Sequence, residues 1–184
     1  MIRRVAALLG SSIALVACSA SVDPSATPNP SPTAASCEAS LPARTSPVDY
    51  PVAVLHAAGD DLPPVIGEVR WSGGAEPVAT TAPRSVHLEQ FTVLPIVGVE
   101  AVSIRMTDGV LIDAWTIDAI PAEPFRASGS EEGTPWAAGS SSTARICIPV
   151  VDGQWVVRGE LTFADGEGGG TFYWRLNVSG LGDG

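Results

Sequence analysis

The chain has no lysine and only three cysteines, two histidines and two methionines among its 184 residues. The missing lysine excludes catalysis through a lysine amine. The scarcity of histidine and methionine argues against copper handling, which relies on clusters of those side chains. With 20 acidic residues against ten arginines, the net charge is −10. Such a chain repels nucleic acid, and no basic patch offsets this, so we expect no nucleic-acid partner.

Long hydrophobic runs are also absent, apart from one near the N-terminus. The segment Val5–Ala17 is apolar except for Gly10 and two serines, and two arginines precede it. As a helix this run reaches roughly 20 Å, which is less than the hydrocarbon thickness of about 30 Å. A positive start followed by a short apolar run is typical of a cleaved export signal.

The apolar run ends in Leu15-Val16-Ala17-Cys18. This tetrapeptide resembles the lipobox of bacterial lipoproteins, in which the cysteine thiol takes a diacylglycerol and the leader is cut before the cysteine. The resemblance implies that residues 1–17 are a lipoprotein signal peptide. It also implies that Cys18 is the lipidated first residue of a protein held at the extracytoplasmic face of the cell membrane. The alternative is an ordinary signal peptide with an unrelated cysteine.

A tether and a single domain follow the predicted anchor. Of residues 19–36, only three are not Ser, Ala, Thr or Pro, so residues 18–36 are interpreted as the acylated cysteine and a linker without a packed core. Residues 37–184 have the length of one domain. Loss of the leader leaves eight arginines against 20 acidic residues, a net charge of −12.

The two cysteines that remain are Cys37 and Cys147. Outside the cytoplasm, a pair with no third partner is most simply a disulfide, which would fasten the start of the domain to a later strand. Two free thiols or half of a metal site are the alternatives.

Alternation of apolar and polar residues governs the C-terminal part of the domain. In Gln154–Ala164, Trp155, Val157, Leu161 and Phe163 share one face, and Thr171–Val178 alternates in the same way. Both are predicted to be antiparallel strands of one hairpin, with Asp165–Gly170 as the turn.

This turn predicts a register in which paired residue numbers sum to about 335. The core-side pairs are then Phe163–Phe172 and Leu161–Trp174. The outer pairs are Thr162–Tyr173 and Glu160–Arg175, the latter an opposite-charge pair. The outer row of the sheet would consist of Val156, Arg158, Tyr173 and Arg175.

Six earlier segments are also predicted strands: Val52–Ala57, Val65–Trp71, Ser85–Leu94, Val99–Met106, Val110–Asp118 and Thr143–Val151. A change of apolar phase predicts a bulge in Ser85–Leu94. Thr107-Asp108-Gly109 predicts a second tight hairpin. About eight short strands indicate an all-β, two-sheet antiparallel sandwich, with a jelly roll or small barrel as alternatives. The closing pair of strands resembles the last hairpin of immunoglobulin-like domains on bacterial secreted proteins.

Residues 121–142 are predicted to form one long irregular connection that contains Phe125 and Trp136. Either both rings pin this loop to the sandwich, or Trp136 lines a ligand or partner site. The candidate partner contacts are therefore Trp136 and Phe125. The arginine-rich outer row with Arg158, Tyr173 and Arg175 is a second candidate, unless it is an ordinary solvated sheet face.

Motifs for chemistry are missing: the chain has neither G-x-S-x-G nor H-E-x-x-H. A hydrolytic triad would have to use His56 or His87. A metal site would need both histidines with an acid such as Asp60, and calcium would need Asp165 and Glu167 in a loop that reads as an ordinary turn. We therefore expect no catalytic residues, metal or cofactor.

The sequence favours a non-enzymatic binding module for a protein or glycan partner, attached to the membrane through its lipid anchor. An envelope hydrolase using His56 or His87 is one alternative. A purely structural envelope assembly protein is the other.

Overall fold

The structure, a computed structural model, describes residues 50–81, 86–99, 101–128 and 133–181. In chain order the strands are β1 (Ala53–Ala57), β2 (Asp60–Leu62), β3 (Val65–Trp71), β4 (Val78–Thr80), β5 (Val93–Val97), β6 (Ala101–Met106), β7 (Ile112–Pro121), β8 (Thr134–Thr143), β9 (Arg145–Pro149), β10 (Gly153–Phe163) and β11 (Gly168–Ser179). One short helix, α1 (Ala122–Ser128), and 3₁₀ turns at Leu88–Gln90 and Ala164–Gly166 complete the described elements.

These strands form two sheets. The four-stranded sheet has the order β2-β1-β6-β9, and the larger sheet of seven has the order β4-β3-β11-β10-β7-β8. The seventh strand, β5, pairs in parallel with β11, whereas all other pairs are antiparallel. The predicted all-β sandwich is confirmed, with eleven described strands rather than about eight.

The core lies between the two sheets because alternate residues of each strand point inward. Leu55, Ile104 and Ile148 come from the smaller sheet, and Val157 and Trp174 from the larger one; each is fully buried. The missing side chain of Gly159 makes room for the Trp174 ring, since a Cβ there would lie 3.2 Å from it. Several ring contacts add to this packing, including Trp71 edge-on to Phe163 at 5.6 Å.

The predicted closing hairpin is present, and its two faces are as expected, but its register is wrong. Paired residue numbers in β10 and β11 sum to 331, as in Val157–Trp174 and Phe163–Gly168. Glu160 therefore lies opposite Thr171, and Arg175 lies opposite Val156. The offset from the predicted register is four residues. Because four is even, every side chain keeps its face of the sheet.

The cause of the shifted register is the glycine run. The turn is only Ala164–Glu167, and Gly168–Gly170 belongs to β11, where these glycines pair with both β10 and β3. A Cβ on Gly168 would lie 2.1 Å from the carbonyl oxygen of Arg70, and one on Gly169 would lie 2.7 Å from that of Leu161. The glycines thus permit close approach of neighbouring backbones, which a turn-forming interpretation of the run overlooks.

The predicted hairpin at Thr107–Gly109 is also wrong, since β6 and β7 belong to different sheets. The connection from β6 to β7 therefore passes from one sheet to the other, and Asp108 stabilises it. The Asp108 carboxylate accepts hydrogen bonds from the backbone N–H groups of Val52 at 3.3 Å and Val110 at 3.1 Å. Both strands supply residues to the same core from opposite layers.

Two further predictions need correction. Of the predicted strand Ser85–Leu94, Ser85 lies outside the described residues. The remainder contains the 3₁₀ turn at Leu88–Gln90 and the start of β5, because Val86 and Leu88 pack onto the outer face of the larger sheet. Residues 121–142 are not one irregular connection: they contain α1 and most of β8. Phe125 on α1 is buried, 3% exposed, and packs against Phe91 with ring centroids 6.4 Å apart.

The close approach at Gly168 gives a stability prediction. Gly168→Ala should lower the free energy of unfolding by about 3 kcal/mol, because a Cβ meets the Arg70 carbonyl and the backbone φ of +121° strains any L side chain. Gly166→Ala is the matched control: its φ is +71° and no atom lies within 4 Å of its Cβ, so about 1 kcal/mol is expected. Urea unfolding of both variants measures the difference. Equal losses would contradict the close approach of β11 to β3 at Gly168.

Candidate functional site

The outer face of the seven-stranded sheet carries two recesses. The larger one, here called the trough, is an open concavity of about 840 Å³ across strands β3, β11, β10, β7 and β8. Its lining consists of small, hydroxyl-bearing and charged residues: Glu68, Arg70, Ala114, Trp115, Thr116, Ala138, Gly139, Ser140, Glu160, Leu161, Thr162, Gly168, Gly169, Gly170 and Thr171.

The trough is concave because the residues on its floor are small. Gly169 on β11 lies opposite Thr162 on β10, and Ala114 on β7 lies opposite Thr162 on the other side. The hydroxyls of Thr116 and Thr162 are exposed at this surface. Hydroxyl groups donate and accept hydrogen bonds, so the floor can bond a polar, extended ligand.

Charge in the trough is mixed but acidic. Glu68 accepts hydrogen bonds from Arg70, with 2.7 Å between Oε1 and Nη2. Glu160 lies 3.6 Å from the Nε of Arg158 and is 57% exposed. Two carboxylates and one guanidinium therefore border the trough, which favours a neutral or cationic ligand over an anionic one.

A partly buried ion pair marks one end of the trough. Arg158 on β10 lies opposite Asp118 on β7 and donates to its Oδ2 from Nη2 at 2.5 Å and from Nε at 3.2 Å. Their side chains are 20% and 9% exposed. Burial acts to lower the pKa of Arg158, but the hydrogen bonds and charge of Asp118 outweigh it and raise that pKa.

Beyond this pair, the outer face of the sheet is covered. Tyr173 and Val156 pack there against Val86, Leu88 and Phe125, in a second apolar cluster. Tyr173 is only 5% exposed, so neither its ring nor that of Phe125 is presented to a partner in this conformation. The predicted outer row is therefore half buried rather than a continuous solvated face.

The second recess, here called the cleft, has a volume of about 550 Å³. Its lining is Pro121, Ala122, Glu123, Pro124, Gly153, Gln154, Trp155 and Arg175. Trp136 packs edge-on against Trp155 with ring centroids 5.3 Å apart, so it supports a residue of the cleft without lining it. Trp136 and Trp155 pack against the core side of the sheet and Arg175 lies on its outer face, so the structure does not bring Trp136 and Arg175 together.

The histidines lie away from both recesses. His56 Nδ1 is 2.8 Å from Asp61 Oδ1, and Arg105 forms an ion pair with the same carboxylate. Partial burial acts to raise the pKa of Asp61, but the hydrogen bonds with His56 and Arg105 outweigh it, so that pKa lies below its ordinary value. His87 precedes the 3₁₀ turn at Leu88–Gln90 and is exposed.

A row of Asp61, His56 and Ser103 crosses β2, β1 and β6 by register. These three residue types occur in hydrolytic triads, but the serine here is buried and the backbone around it offers no free donors. Ser103 is 5% exposed, and β6 is paired on both sides, with β1 and with β9. The backbone N–H groups around Ser103 are therefore engaged in the sheet, whereas an oxyanion hole needs free donors.

Within the described ranges, no group of three His, Cys, Asp or Glu side chains is placed to hold a metal ion. In the same part of the chain, none of the helices has the length and apolar character to cross a membrane. Cys147 is half-buried on β9, opposite Ser103 and facing away from the core. Cys18 and Cys37 lie outside the described residues, so the lipid anchor and the Cys37–Cys147 disulfide stay predictions.

The sequence placed Thr162 and Glu160 on the outer face but did not predict that they line a recess. Alternation in the predicted strand Val110–Asp118 would have placed Thr116 on the same face. That they form one concavity depends on the order of strands that are distant in sequence. Gln154 and Trp155 meet Pro121 because β10 pairs with β7, a pairing that no local pattern specifies.

Comparison with models of known protein families gives no match, and no curated protein matches the chain.

The ion pair at the end of the trough gives the second prediction. Asp118→Asn should lower the free energy of unfolding by about 2–3 kcal/mol at neutral pH, since it removes the buried counter-charge of Arg158 and leaves the weaker contact with the exposed Glu160. Asp113→Asn, at an exposed position of the same strand, is the control, with an expected change below about 0.5 kcal/mol. Urea unfolding measures both. If the two variants lose the same stability, the pair does not support the sheet as described.

Proposed function

We propose that the chain is a membrane-anchored lipoprotein of the cell envelope whose β-sandwich is a non-enzymatic binding module for a protein or glycan partner. The export signal and the lipobox at Leu15–Cys18 support the anchor. The linker at residues 18–36 holds the domain off the lipid surface. A chain of this length would reach roughly 25 Å as a coil and about 55 Å in polyproline geometry, so we expect the partner on or near the extracytoplasmic face of the membrane.

The observation that carries the binding role is the open trough across five strands of the larger sheet. Here glycine, alanine, threonine and serine leave the backbone accessible over a long surface. Such a surface accepts an extended chain and contributes hydrogen-bonding groups along its length.

Two other roles compete with binding. The hydrolase using His56 or His87 has less support, because neither histidine lines a recess and Ser103 is buried next to His56. A purely structural role predicts that the trough has no ligand, which the experiments below distinguish.

The disulfide between Cys37 and Cys147 is part of this proposal. Cys147 faces away from the core on β9, at one edge of the four-stranded sheet. A bond from this position would attach the end of the linker to a strand of the sandwich and would resist unfolding in an oxidising compartment. The resemblance of the closing hairpin to immunoglobulin-like domains of bacterial secreted proteins is in keeping with that setting.

The anchor gives the third prediction. Cys18→Ala should abolish incorporation of labelled fatty acid and move the protein from the membrane fraction to the soluble or secreted fraction. Cys37→Ala serves as the control, since it should keep both the label and the membrane location. Labelled fatty acid in the Cys18→Ala protein would refute the lipobox interpretation.

The trough gives the fourth prediction. Thr162→Trp places a large ring on the trough floor and should reduce co-sedimentation with cell-wall glycan, or cross-linking to envelope proteins, by about tenfold or more. Ser179→Trp, at an exposed position of β11 that does not line the trough, should leave both unchanged. Unfolding by urea checks that both variants keep their stability. Equal binding by the two variants would refute the trough as the contact surface.

A further inference from the structure

Arg175 has no ion-pair partner among the described residues, unlike Arg70, Arg105 and Arg158. Arg70, Arg105 and Arg158 form ion pairs with Glu68, Asp61 and Asp118 respectively. Arg145 also has a partner. Within residues 50–81, 86–99, 101–128 and 133–181, no hydrogen bond or ion pair is formed by the side chain of Arg175.

The register explains why this guanidinium is unpaired. Arg175 lies opposite Val156 on β10 and opposite Val93 on β5, so both flanking positions are apolar. Glu160 pairs with Thr171, four residues away along β11. Four residues of strand span about 13 Å, which is too far for an ion pair.

The side chain is also held in a recess. Arg175 is half-buried and lines the cleft together with Gln154 of β10. Ala122 and Pro124 at the start of α1 supply apolar lining beside it, whereas Trp155 pairs with Leu176 and has its ring on the core side of the sheet. A guanidinium beside apolar walls binds a counter-ion more strongly than one in open water, because fewer water molecules screen the charge.

We propose that the cleft binds a carboxylate of a peptide partner, with the Arg175 guanidinium as the charged donor and the apolar residues Ala122 and Pro124 of α1 as the contact for a neighbouring apolar side chain. The planar guanidinium matches a carboxylate with two parallel hydrogen bonds. This site rests on the proposed function, since it adds a specific subsite to a partner-binding module.

A peptide suits the cleft better than a nucleic acid or a phosphorylated polymer. Glu123 stands in the same lining as Arg175, so the cleft carries balanced charge and rejects a dense polyanion. An acidic glycan also carries a carboxylate and apolar C–H faces, and the glucuronate probe described below distinguishes it from a peptide. The Gln154 side chain offers both a donor and an acceptor, which suits a peptide amide.

Titration of the full chain, purified in detergent and labelled with ¹⁵N, tests the site through the side-chain Nε–Hε resonance of Arg175. The probes are N-acetyl-phenylalanine, its amide, which lacks the carboxylate, and glucuronate, which carries a carboxylate on a sugar. We expect N-acetyl-phenylalanine alone to shift the Arg175 resonance. A shift with the amide would overturn the role of the carboxylate, and an equal affinity for glucuronate would overturn the peptide assignment.

Variants separate Arg175 from general charge effects. Arg175→Gln should weaken N-acetyl-phenylalanine binding by about tenfold or more. Arg175→Lys should weaken it less, since lysine keeps the positive charge but cannot form the two parallel hydrogen bonds of a guanidinium. Arg70→Gln, in the trough, should not change it. Glu123→Gln should tighten it a few-fold, since a repelling charge is removed. An equal loss with Arg70→Gln would overturn the site.

The site and the proposed function fail separately. In one outcome, Thr162→Trp abolishes capture of the envelope partner, Arg175→Gln leaves capture intact, and no probe shifts the Arg175 resonance. This outcome supports the trough as the contact surface and refutes the carboxylate subsite. In the other outcome, N-acetyl-phenylalanine binds at Arg175 but Thr162→Trp leaves partner capture unchanged. This outcome supports the subsite and refutes the trough as the contact surface.

Discussion

The continuous pairing of β10 with β11, from Gly153–Val178 to Phe163–Gly168, is the interaction on which the rest of the sandwich depends. Because side chains alternate along a strand, this pairing decides which residues enter the core and which reach the outer face. Val157 and Trp174 are buried together, while Arg158 and Glu160 point outward. A slip by one residue would expose several large apolar side chains, at about 1.5–3 kcal/mol each.

The outer face of the larger sheet is used in three different ways along β10. Near Thr162 it forms the floor of the trough, and near Val156 it is covered by Leu88 and Phe125. Arg158 and Asp118 lie at the boundary, where both are shielded from water by the covered part. The Arg158–Asp118 pair is therefore buried because the face of the sheet is partly covered. It lies between the solvent-exposed trough and the apolar cluster.

Local patterns predicted the strands and their faces but not how distant strands meet. Alternation in Gln154–Ala164 and Thr171–Val178 specified the buried set correctly, because burial depends on parity alone. Alternation could not specify the register. A shift of one strand by an even number of residues keeps every side chain on its face and changes only which residues pair across the strands. The glycine run at Gly168–Gly170 was misread as a turn because its reason, the approach of β3, lies about 100 residues earlier in the chain. The trough and the cleft could not be predicted for the same reason, because each is formed by strands that are distant in sequence.

The register also determines the distribution of charge on this acidic chain. In the predicted register, Glu160 and Arg175 would have neutralised each other across the strands. In the observed one they are separated by about 13 Å along the sheet, more than the screening length of about 8 Å at physiological salt. Glu160 therefore lines the trough, and Arg175 lines the cleft. A single offset of four residues thus produces both an acidic surface for neutral or cationic groups and an unpaired guanidinium for an anionic one, on the same face of one sheet.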